Sequence, residues 1–290
     1  MTTPVQHKTR EKHFLDTSVA RPLLLASKAY RQHLANQFAI ESRYISIYVQ
    51  MEIRRSFIRT VVGFYGILQL PMIVSIDDAL NVWSNQFKQS RLKAVIQLIA
   101  QILNTHSLDF ASTTDKQKAL NAIAHYIIRF EAKLRRSFKD PGQDTTRCTR
   151  SILPLPFYAD DLSRGLDEFA EQFDDTEYCR NNCSIDHVLL RRYVTQIKDI
   201  LKLANSTPKT SETAGFHAIA SQLAIVLQTG PGACSCSRCE RIGDAVIALE
   251  TPRQMLLEHL DSSFNCLCPP LHQRHRQHIS EVAFYAKAPQ

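Results

Sequence analysis

A three-layer α/β/α protein, with a parallel sheet interrupted by a large all-helical insertion, is the fold class the sequence predicts. Three observations lead there. Short β-forming runs alternate with helical periodicity at both ends of the 290-residue chain, the signature of a parallel sheet covered on both faces. The long stretch between carries its apolar residues at helical spacing. Acids at the two ends stand at the edges of apolar segments, poor material for a core but suited to holding a hard cation by oxygen ligands.

In order, His13 to Asp16 reads as a short apolar strand stopping on an acid, and Pro22 to Ala39 as a helix. Arg43-Tyr44-Ile45-Ser46 is rich in β-formers and suits a second strand. From Ile47 to Val62, Tyr48, Met51, Ile53, Phe57 and Ile58 recur as on a helix. Leu92, Val95, Ile96, Ile99 and Leu103 line a helix over Arg91 to Asn104. Leu120, Ile123, Ile127, Phe130 and Leu134 line another over Lys116 to Phe138, which Asp140-Pro141-Gly142 stops. Asp161 to Phe173, Asp186 to Leu203 and Thr213 to Leu227 read as further helices. After the Gly230-Pro231-Gly232 turn, a helix opens near Arg241 with Asp244 in its first turn, where the dipole favours an acid. Thr251-Pro252 ends it, and Met255 to Leu260 forms a strand leading to Asp261. The tail beyond Pro269-Pro270 reads as polar and loosely held as far as Val282-Ala283-Phe284-Tyr285. Residues 1–66 and 233–290 are thus the two parts of the α/β domain, and 67–232 the insertion.

Hydrophobic residues at 44% supply a core, and only 8 Gly argue against extensive disorder. No apolar run approaches the ~20 residues of a membrane-spanning helix, and the polar N-terminus lacks the apolar centre of a signal peptide. A cytoplasmic protein without a membrane partner is expected. The net charge of +7 suits a polyanionic partner such as nucleic acid, or is simply a modestly basic surface.

The 8 Cys should stay reduced in such a chain, and their clustering favours metal ligation. Cys179 and Cys183 form one close pair, Cys236 and Cys239 another, with Cys234 as a substitute. Two such pairs make a tetrahedral structural Zn²⁺ site, or else a group of free thiols. Cys266 and Cys268 read as packing against the sheet. His272, His275 and His278 recur at three-residue intervals and are assigned no chemistry.

Four acids stand in recognisable contexts: Asp16 in Phe14-Leu15-Asp16-Thr17-Ser18-Val19, Glu52 in Met51-Glu52-Ile53-Arg54-Arg55-Ser56, Asp244 in Gly243-Asp244-Ala245-Val246-Ile247-Ala248, and Asp261 in His259-Leu260-Asp261-Ser262-Ser263-Phe264. Each alone reads equally as a helix cap or a solvated side chain. In order and context, the set resembles the PIN-domain family of metal-dependent ribonucleases, over roughly Phe14 to Phe64 and Cys236 to Cys268. The resemblance implies a compact α/β/α fold in which Asp16, Glu52, Asp244 and Asp261 converge at the carboxyl edge of the sheet, hold Mg²⁺ or Mn²⁺ and serve catalysis. Thr17 or Ser18 would sit beside the first acid. Two departures stand out. His259 occupies a position where the family usually has Thr or Ser, and the chain between Glu52 and Asp244 is far longer than in small members.

Phosphodiester cleavage needs a polarised phosphoryl group and an activated water, and a carboxylate-held Mg²⁺ or Mn²⁺ supplies both. Arg54, Arg55 and Arg59 share the helix of Glu52, with Arg55 and Arg59 on one side, and Arg238 and Arg241 approach Asp244. Such residues give salt-sensitive, sequence-tolerant phosphate contacts, or form a solvated helix face. The expectation is a divalent-metal-dependent endoribonuclease, toxin-like, with RNA as substrate and a protein inhibitor or antitoxin as partner; homo-oligomerisation stays open. The alternative is a catalytically weak or inactive PIN-like scaffold for RNA or protein, with a structural zinc. Asp16, Asp244 and at least one of Glu52 and Asp261 close enough to share an ion would favour the enzyme. A buried salt bridge consuming two of them would favour the scaffold.

Overall fold

Strand β1 (His13–Leu15) lies inside the sheet, and all three of its residues are buried. A computed structural model describes residues 11–85, 96, 99–100, 102–103, 108–141, 185–232 and 236–287, with the side chains of 55–59, 236–237 and 287 outside that description. The predicted helix over Asp161 to Phe173 and most of that over Arg91 to Asn104 lie outside the described residues.

Four parallel strands are ordered β2-β1-β3-β4, where β2 is Arg43–Tyr44, β3 Leu256–His259 and β4 His275–Gln277. Phe14 is in register with Tyr44 on one side and Leu257 on the other. Every residue of β3 is buried, as expected for a parallel strand covered on both faces. The strands are short but each ends where the sequence changes character: β1 stops at an acid and β3 runs out toward Asp261.

The helix expected over Pro22 to Ala39 is two helices, α1 (Thr17–Leu25) and α2 (Lys28–Ala35). Asp16 caps α1 by accepting the Ser18 N–H, which starts the helix five residues before the proline. Ser27 caps α2, and the break between them falls at Ala26. Helix α3 (Ile47–Gln69) follows β2. The described residues form two compact units, and α3 leaves the first at Gln50. The first unit holds the sheet, α1, α2, residues 136–141, and everything from 185 onward: α6 (Ile185–Arg192), α7 (Val194–Ser206), α8 (Ala214–Thr229), α9 (Cys236–Arg241), α10 (Gly243–Glu250), α11 (Phe264–Leu267) and α12 (Glu281–Lys287). Helices α6 to α8 therefore belong with the sheet, and the units divide elsewhere than at residues 66 and 232.

The second unit contains the rest of α3, α4 (Ile76–Ser84) and α5 (Asp115–Ser137). Ser75 and Asp78 close α4 with a reciprocal capping box. Phe64 packs on Trp83, and Arg54 holds Glu131 by two bonds of 2.9 Å, both side chains buried. Among the described residues, no helix is long and apolar enough to cross a membrane.

The chain beyond Pro269-Pro270 departs from expectation. His275–Gln277 is a strand of the sheet, and Arg276 stands in register with Glu258. Glu258, with no exposed surface, accepts from His13 Nδ1 at 2.7 Å, Arg276 Nε at 2.9 Å and Nη2 at 2.5 Å, and His278 Nε2 at 2.6 Å. Burial alone would raise its carboxyl, but these bonds together outweigh burial and hold it well below the usual carboxylate range. The tail is thus fastened by polar bonds, which apolar periodicity does not report.

Candidate functional site

Strands β2 and β3 lie on opposite sides of β1, so the strand order reverses between β1 and β3. In open α/β sheets, ligands bind outside the carboxyl ends of the strands at such a switch point. Asp16 directly follows β1, and Asp261 lies two residues beyond β3.

Asp16 is 2% exposed. Its Oδ2 accepts the Ser18 N–H at 3.0 Å and the Ser18 hydroxyl. The Ser18 oxygen in turn accepts the Leu260 N–H at 3.0 Å, and the Asp16 N–H donates to the Glu258 carbonyl at 3.0 Å. The first acid is therefore fastened to the end of β3, one residue before Asp261. Thr17, half-buried, begins α1 beside it.

Asp244 stands in the first turn of α10, and the buried Ser263 hydroxyl donates to its Oδ2 at 2.5 Å. Burial pushes the Asp244 carboxyl up; the Ser263 bond opposes this, and the charge of Asp261 adds to it. Asp261 keeps a face in solvent, yet packing around its carboxyl pushes it up as well. A buried carboxylate beside a second negative charge is the situation a cation relieves. Among the described residues, neither Asp244 nor Asp261 forms an ion pair.

Asp16, Asp244 and Asp261 thus belong to one unit and one edge of the sheet. Glu52, half-buried on α3, falls in the second unit. Among the described residues, no three His, Cys, Asp or Glu side chains stand in a metal-holding arrangement. The donors are all hard carboxylate oxygens, and Mg²⁺ takes one or two carboxylates directly while keeping several waters. Asp244 and Asp261 are donors of that chemical type, and Asp16 follows β1 at the same edge.

His259 faces away from this role. Its Nδ1 meets the Asp261 carbonyl at 2.9 Å and its Nε2 meets His275 Nδ1 at 3.0 Å. A carbonyl only accepts, so Nδ1 carries the proton, leaving Nε2 to accept from His275. Burial, with His275 beside it, lowers His259 to about 4, so the ring stays neutral. Both nitrogens are used inside the protein, in place of a hydroxyl near the fourth acid.

Arg54 is taken up by Glu131 and is no phosphate contact as it stands. The Arg55 and Arg59 side chains lie outside the described residues; Arg241 is exposed in the last turn of α9. Arg238 donates from Nε to Gln222 Oε1 at 3.3 Å. For the zinc expectation, Cys179, Cys183, Cys234 and the side chain of Cys236 lie outside the described residues. Cys239 is buried, its thiol 3.8 Å from the Tyr48 hydroxyl, which donates to the Cys239 carbonyl at 2.8 Å. Cys268 is buried and pushed up to about 12 by that burial, while Cys266 is partly covered.

Two features escaped the sequence. Ser263 lay inside the fourth acidic motif, but nothing in its spacing tied it to Asp244, 19 residues earlier. Glu258 sat unremarked in an apolar run, although a lone acid inside a buried strand implies basic partners. Set against known family models, curated proteins and solved structures, the chain finds no match.

Proposed function

We propose that this protein is a divalent-metal-dependent endoribonuclease of PIN type, using Asp16, Asp244 and Asp261. The observation that supports it most is the position of three acids at the switch-point edge. Asp16 and Asp261 follow the two strands that flank the reversal, and Asp244 carries the charge of Asp261 within its surroundings.

When bound there, Mg²⁺ or Mn²⁺ neutralises phosphoryl charge and lowers the pKa of its water. The chain's own groups keep the carboxylates in place. Ser18 holds one oxygen of Asp16 and ties it to β3, and Ser263 holds one oxygen of Asp244. Exposed cations such as Arg241 receive the nucleic-acid backbone without reading bases.

The test is cleavage of mixed RNA by purified protein, with Mg²⁺ or Mn²⁺ and with chelator. Wild type cleaves only with metal. Asp16→Asn loses cleavage but keeps the fold, since Asn caps a helix about as well as Asp. Equal cleavage by the two proteins, or cleavage insensitive to chelator, sinks the proposal. RNA retention without cleavage by both would mark a binding scaffold instead.

A further inference from the structure

Ser263 occupies the position just before α11, where a serine hydroxyl ordinarily accepts a backbone N–H of the first turn. It makes no such bond. Its backbone already lies in the helical region, with φ −54° and ψ −35°. The hydroxyl instead reaches another element, donating to Asp244 Oδ2 on α10. Ser263 is 8% exposed, so water offers its hydroxyl little alternative. The contrast with Asp16 is instructive, because that side chain does cap its own helix.

The geometry constrains the acid it touches. A carboxylate on a short side chain has two oxygens and two rotatable bonds, and a donor fixed to one oxygen fixes where the other points. Asp244 Oδ2 is the oxygen so held, by a donor two residues along the chain from Asp261. Ser263 sits two residues from Asp261 and bonds Asp244, and so fixes the Asp244 carboxylate relative to the segment that carries Asp261. From this we infer that Ser263 is a positioning residue, fixing the Asp244 carboxylate for the divalent cation of the proposed nuclease. The inference rests on that reading of the site, and its role is orientation of a ligand by a partner behind it.

The experiment measures Mn²⁺ binding directly, by the free-ion electron paramagnetic resonance signal, on the full chain without RNA. Wild type, Ser263→Ala, Ser263→Thr, Ser262→Ala and Asp244→Asn are compared, with far-UV circular dichroism to verify folding. Ser263→Ala weakens Mn²⁺ binding by about tenfold or more. Ser263→Thr, which keeps the hydroxyl, restores affinity to near wild type, and the exposed Ser262→Ala leaves it unchanged. Should Ala disturb packing, Ser263→Cys is nearly isosteric with only a weak donor and reads the same loss. Wild-type affinity in a folded Ser263→Ala or Ser263→Cys protein, with binding abolished in Asp244→Asn, overturns the role of Ser263 alone. No Mn²⁺ binding by wild type, or undiminished binding by Asp244→Asn, overturns the metal site and this inference together.

Discussion

Replacing Glu258 by Gln tests the bonding of the sheet at its most concentrated point. Each carboxylate oxygen faces one imidazole nitrogen and one guanidinium nitrogen: Oε1 faces His13 Nδ1 and Arg276 Nη2, and Oε2 faces His278 Nε2 and Arg276 Nε. Arginine only donates, so whichever way the Gln amide turns, its NH₂ confronts an Arg276 N–H. All four bonds also lose the acceptor's charge. Breaking a buried pair by removing one partner costs roughly 3–5 kcal/mol. The Arg276 side chain is 41% exposed, so water compensates part of its loss, and the low end, about 3 kcal/mol, applies. That corresponds to a fall in Tm of about 6–12 °C. Urea unfolding at neutral pH should be followed by far-UV circular dichroism, because the single tryptophan, Trp83, belongs to the other unit. The sign with pH is also set. A carboxyl held low in the fold stabilises fully above its unfolded value near 4.3 and loses that contribution as pH falls through the folded value, so the two proteins converge only in acid. A difference below about 1 kcal/mol at neutral pH would refute the account of the Glu258 cluster.

Asp244→Asn should stabilise the metal-free chain by about 0.5–2 kcal/mol at neutral pH, because it removes a buried charge facing another while an amide oxygen still accepts the Ser263 hydroxyl. Since the folded wild type binds that proton more tightly than the unfolded chain, wild type gains stability as pH falls from neutral toward the usual carboxylate range. Asp244→Asn lacks this gain, and parallel stability-versus-pH curves for the two proteins would count against it. In the second unit, Arg54→Met leaves Glu131 buried and uncompensated, costing about 3–5 kcal/mol by Trp83 fluorescence. The double change Arg54→Met/Glu131→Leu should recover most of it, and equal losses in single and double variants would contradict that.

Where burial and periodicity act together, the fold was legible. The apolar run ending at Asp16, the helix carrying Asp244 and the strand leading to Asp261 all lie where expected, because in each a change from apolar to acidic residues coincides with the end of a strand or the start of a helix. The predicted continuation of one helix from Pro22 to Ala39 failed at Ser27, a capping residue that restarts the helix. Strand β4 was illegible because His275, Arg276 and Gln277 carry no apolar alternation; they join the sheet through Glu258 and His259. Helices α6 to α8 read correctly as helices, but nothing in amphipathic spacing says which of two units a helix joins. Of the candidate site, the acids stand out in the sequence by their surroundings, whereas the bonds of Ser263 to Asp244 and of His259 to His275 join segments that spacing does not connect.

The Ser18 hydroxyl takes its N–H from a residue 242 positions downstream, and His13 meets its carboxylate 245 positions away. Neither bond exists until most of the polypeptide has been made, and contacts of such separation are slow to close. A fragment stopping short of residue 256 would keep β2 beside β1 but lack β3, leaving the Ser18 hydroxyl without the Leu260 N–H and His13 without Glu258.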